Sequence, residues 1–181
     1  MFDLNAGKVM NFLAASCLLA LAIQGIPGTP ANAATAYLDQ LLQDAKAQAD
    51  LLQNDSEQME GFSRSNPSWQ SHAAQIDTIK GHVNNMGEIV ARLQAVRGEA
   101  GKPYQEAIDR IVSPLQEVAS NTTAIINHLN QSPKSLGDPI YQDYLRANAE
   151  LATTISQEVS SIVAYANAET KFQKAQDQLQ K

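Results

Sequence analysis

Cysteine is almost missing from this chain. Cys17 is the single one in 181 residues, and it falls inside the apolar run from Val9 to Ile26. If that run is removed on export, no disulfide, thiolate metal site, thiol nucleophile or covalent c-type haem remains, and the core alone holds the fold. Basic charge is also short. Thirteen Lys and Arg stand against nineteen Asp and Glu, for a net charge of −6, which disfavours nucleic acid and anionic membrane surfaces as partners. After Ala34 no apolar run is long enough to span a bilayer, so no stable membrane insertion is expected beyond it.

Catalytic signatures are missing as well. The sequence has no His-Glu-x-x-His, P-loop, dinucleotide fingerprint or Gly-x-Ser-x-Gly. The Glu-x-x-His pairs of di-iron bundles are absent too, because Trp69, Ile79 and Ile125 stand three residues before the three histidines. Carboxylates are many, but the pattern spreads them over solvated helix faces and pairs none as acid and base in a pocket. The chain reads as a non-enzyme.

What is present begins with an export pattern. Lys8 precedes the apolar run, then come Gly25, Pro27, Gly28 and Pro30, then Ala31-Asn32-Ala33. Small residues at the two positions a signal peptidase reads place cleavage before Ala34. An uncleaved anchor and a lipoprotein cut before Cys17 are the competing readings. With residues 1–33 as a signal peptide, the remainder is one ordinary domain, periplasmic or secreted.

Four amphipathic segments follow. The first runs from Ala34 or Thr35 to about Gly61, with Leu38, Leu41, Leu42, Ala45, Ala49, Leu52, Met59 and Phe62 on one stripe. Ser63-Arg64-Ser65 reads as a turn, and Asn66-Pro67 as a cap and first helical residue. The second segment carries Trp69, His72, Ile76, Ile79, Val83, Met86, Val90, Leu93 and Val96, and ends at Gly98 to Gly101, where glycine suits a left-handed cap. Lys102-Pro103 starts the third, from Tyr104 to Leu129, with Pro114 expected to kink it. Asp138-Pro139 starts the fourth, from Tyr141 to Ala166. Residues 167–181 read as a fraying or protruding helix end.

Helices with short links and no strand pattern imply an all-α fold, an antiparallel up-down-up-down four-helix bundle. The alternative is an extended helical hairpin completed by forming a homodimer. Antiparallel neighbours meet at positions mirrored about their loop, here centred near residues 64–65, 100–101 and 134–135. This register sets Gly87 against Pro114 as a close-packed waist and Asn121 against Asn148 as a polar layer. It also gathers Glu57, His72, His128 and Tyr141 at one level, residue types that bind zinc or, through two imidazoles, a haem. His82 and Met86, one turn apart, form a weaker pair for a soft ion such as Cu(I). Sequons at Asn54 and Asn121 fall in helices and read as chance.

The functional expectation is an exported, non-catalytic bundle that binds a protein or peptide as a structural, adaptor or chaperone-like factor. Its partner would meet the tail from Asn167 or a groove near Trp69 and Tyr141, since aromatic anchors are enriched at such contacts. A metal- or haem-binding bundle using Glu57, His72 and His128 is the alternative. The sensing part of a receptor is a third, and lacks the second membrane helix it would need.

Overall fold

A computed structural model describes residues 31–65 and 67–180, with side chains from Ala36 onward. The expected signal segment and Cys17 lie outside the described residues, apart from the backbone of 31–33. Helix α1 (Ala31–Ser65) is already helical three residues before the expected cut. It is followed by α2 (Trp69–Val96), a 3-10 turn (Arg97–Glu99), α3 (Lys102–Gln131) and α4 (Pro139–Leu179). Among the described residues there is no strand, and no helix is long and apolar enough to cross a membrane.

The α1 helix outruns the expected end at Gly61. Arg64 pairs with Glu60 one turn back at 2.6 Å, and the Ser65 hydroxyl donates to the Gly61 carbonyl at 3.2 Å. The turn waits for Pro67, which disfavours helical backbone at the residue before it. The cap of α2 is then Ser68 rather than Asn66. Its backbone is extended, and its Oγ accepts from the Ser71 amide at 3.3 Å. Pro67 therefore lies outside α2, and the turn centres near residue 67 instead of 64–65.

The link from α2 to α3 also departs from expectation. No left-handed glycine ends α2: its cap, Arg97, keeps right-handed helical angles (φ −54°, ψ −40°), and neither Gly98 nor Gly101 has a positive φ. The chain tightens into the 3-10 turn, which uses up the orphan carbonyls of the last helical turn. It then extends through Ala100 and Gly101, and α3 starts with Pro103 in its first turn. Arg97 reaches across to fork onto Asp109 of α3. The start of α4 follows its cap-plus-proline pattern, with Asp138 Oδ1 accepting from the Ile140 amide at 2.9 Å.

Each helix packs on its chain neighbour, and α4 closes back onto α1. Leu41, Leu52, Met59, Ile76, Met86, Leu93, Ile111, Leu115, Ile155 and Val159 fill the space between them and are essentially sealed from solvent. Truncating one of the leucines or isoleucines to alanine costs about 2–5 kcal/mol. Tyr104 near the start of α3 meets Tyr165 far along α4, while His128 near the end of α3 meets Tyr141 at the start of α4.

Two expected contacts in the middle of the bundle are not made. A Cβ placed on Gly87 would meet nothing within 4 Å, so no backbone crowds it, and α3 runs through Pro114 without interruption. The polar layer forms one residue away from the expected pair. Asn148 Nδ2 donates to Thr122 Oγ1 at 3.2 Å, whereas Asn121 Nδ2 is buried without a partner among the described residues. Thr122 is fully buried and its neighbour Asn121 only half-buried, because one step along a helix turns a side chain about 100° away from the core.

Candidate functional site

The histidine level is an aromatic layer at one end of the bundle. His72 and Tyr141 are both sealed, at 1% and 0% exposure. The Tyr141 hydroxyl and His72 Nδ1 lie 2.7 Å apart, and the other face of the layer is the His128 ring, stacked on Tyr141 at 4.5 Å. Burial holds the His72 imidazole below its ordinary pKa and pushes the Tyr141 phenol up. Both shifts favour the neutral forms, and one hydrogen bond joins the two groups.

Glu57 does not join this layer. It is exposed on α1, where its carboxylate accepts from Gln53 at 2.7 Å and from Thr153 at 3.4 Å. The shift of the first turn to residue 67 explains the difference: the residue opposite His72 becomes Phe62, whose ring meets the imidazole edge-on at 5.1 Å. His72 Nδ1 is taken by Tyr141, and His128 Nε2 lies 2.9 Å from the Ser135 carbonyl. Among the described residues no three His, Cys, Asp or Glu side chains gather where a metal ion could be held. Tyr141 presents no surface to a partner, while Trp69 is partly buried against the core.

His82 and Met86 also part company. Met86 is sealed in the core. His82 bridges to α1, with Nε2 2.9 Å from Asp55 Oδ2 and Nδ1 3.3 Å from Gln48 Oε1. Gln75 donates to the same Asp55 carboxylate at 3.1 Å. Asp55 therefore sits in a half-buried polar seam between helices, contrary to the expectation that carboxylates line only solvated faces.

The opposite end of the bundle is open. A groove of about 620 Å³ runs between the beginning of α1, the 3-10 turn, the start of α3 and the last turns of α4. Tyr37, Asp39, Glu99, Tyr104, Glu169 and Asp177 line it, with Lys174 as its one cation among the described residues and Leu38 and Val96 as apolar patches. Tyr104 is only 8% exposed and sets the geometry. Its hydroxyl donates to Glu169 Oε2 at 2.7 Å, and its ring meets Tyr165 edge-on at 5.5 Å. Burial, then the Glu169 carboxylate, pushes the Tyr104 phenol up, so it remains a donor. Burial, then repulsion from Glu169, also raises Asp39 above the usual carboxylate range. None of the four groove carboxylates has an ion pair among the described residues.

This groove is absent from the sequence reading. Residues 167–181 look like a solvated helix end when taken alone, because Phe172 and Leu179 are their only large apolar residues. Two signals were available. Tyr104 and Tyr165 are mirrored about the α3–α4 loop, and Glu169, Gln173 and Asp177 are spaced four apart on one face. No family model, curated protein or solved structure matches this chain.

Proposed function

We propose that this protein is an exported, non-catalytic helical bundle of up-down-up-down topology that works by binding a protein or peptide partner, in the periplasm or outside the cell. Lys8, the apolar run and Ala31-Asn32-Ala33 support export. The mirrored contacts of Tyr104 with Tyr165 and His128 with Tyr141 support the topology. The observation that carries the binding reading is the open groove at the Tyr104 end. Its volume suits a side chain or short segment, and it combines exposed aromatic surface with hydrogen-bonding groups. His72 and Tyr141, by contrast, are sealed in the core and hydrogen-bonded to each other.

Site-specific photocrosslinking in the native envelope tests this. A photoreactive side chain at Gln173, which lines the groove, should give one discrete adduct with a second polypeptide. The same probe at Ser113, exposed on α3, should give none. Equal adducts from both positions, or none from Gln173, would remove the groove as a docking site.

A further inference from the structure

We infer that the groove takes a basic peptide segment, one lysine or arginine side chain of which enters to meet Asp39 and Glu169. The inference rests on the peptide-binding reading and adds to it the chemistry of the occupant. Charge is the first argument. Among the described residues Asp39, Glu99, Glu169 and Asp177 are set against Lys174 alone, so the groove carries an excess of negative charge within one concave surface. Asp39 and Glu169 both line the groove and carry like charge, and their repulsion adds to burial in raising the Asp39 carboxyl. A cation between them relieves that repulsion.

The walls say which kind of cation. Tyr37 is 47% exposed and brings an electron-rich ring to the groove, a surface that attracts ammonium and guanidinium groups. Leu38 and Val96 suit the methylene stem behind such a head. A bare divalent metal ion fits less well. A hard cation such as calcium needs six or more oxygens closing on one point, and these carboxylates come from three elements without converging, among the described residues, as a metal-binding set. Glu169 also has one oxygen engaged by the Tyr104 hydroxyl.

The test is calorimetric titration of the protein recovered from its own export route with three blocked hexapeptides that alternate glycine with arginine, glutamine or glutamate. The arginine peptide should bind, more weakly as salt is raised, and the other two should not. Asp39→Asn and Glu169→Gln should each weaken binding about fivefold. Both are isosteric, and glutamine still offers an oxygen to the Tyr104 hydroxyl, so an unchanged melting temperature will confirm that the fold is intact. Affinity should also fall as acid protonates Asp39. Equal binding of the arginine and glutamine peptides would overturn the cation assignment while leaving a peptide groove in place. Calcium chloride alone giving a saturable heat that is lost in Asp39→Asn would replace the assignment with a metal site. Binding of the arginine peptide unaffected by either substitution would place it elsewhere on the molecule.

Discussion

Removing the Tyr141 hydroxyl should destabilise the protein far more than the loss of one oxygen atom suggests. In Tyr141→Phe the ring remains, so the stack on His128 and the surrounding packing are retained. What changes is His72, itself sealed from solvent, whose Nδ1 loses its partner at 2.7 Å. An orphaned buried polar group costs about 1–3 kcal/mol. His72→Phe should do similar damage from the other side, by stranding the hydroxyl. The double variant places two apolar rings in contact and strands nothing, so it should be less destabilised than the two single losses added together, by about 1 kcal/mol or more. Urea denaturation at pH 8, followed by helical circular dichroism, measures all four corners of this cycle. Single losses under about 0.5 kcal/mol, or strict additivity, would refute the idea that these two groups satisfy each other.

The same burial sets a pH dependence. His72 is held below its ordinary value near 6.5, so below about that pH the unfolded chain takes up a proton that the folded one refuses. Stability should therefore be level above that point, fall as the pH drops through it, and level off again below the folded value; in His72→Phe this part of the slope should vanish from denaturation midpoints taken between pH 8 and 5. Gly81→Ala and Gly87→Ala should each stabilise by about 0.5–1 kcal/mol, because both positions are helical and a Cβ meets nothing within 4 Å. A thermal melt should rise by roughly 1–4 °C for each, and a fall at Gly87 would show that its backbone is crowded after all.

The helical fold was legible because α1 to α4 each carry a stripe of Leu, Ile, Val and Ala at steps of three and four, and Ala45, Ile76, Leu115 and Ile155 are buried as that period requires. The starts of α3 and α4 were legible for a local reason, since Pro103 and Pro139 act within their own turn. The register across the first turn was not. Two histidines and a tyrosine were correctly brought to one end, but whether Glu57 or Phe62 faced His72 depended on where α1 stopped. Arg64 with Glu60, and Ser65 with the Gly61 carbonyl, carry α1 four residues further than its apolar stripe indicates. An error of two or three residues in a loop centre becomes one of about five in the partner, more than a helical turn. The groove escaped notice for a different reason. It is assembled from four elements, and no one of them carries a pattern that marks it.

The length of α4 has a dynamic consequence. Its 41 residues span about 60 Å, against about 42 Å for the 28 residues of α2. Beyond Ala166 only Thr170 is even half-buried, so the last turns owe their order to the Tyr104–Glu169 bond and to helix propagation rather than to the core. Amides from 167 to 179 should therefore exchange with solvent through local opening, at a free energy well below that of global unfolding. One wall of the groove is thus expected to open more readily than the core of the described residues. An occupant that grips it would raise its protection factors selectively, leaving those of the distant Tyr141 layer unmoved.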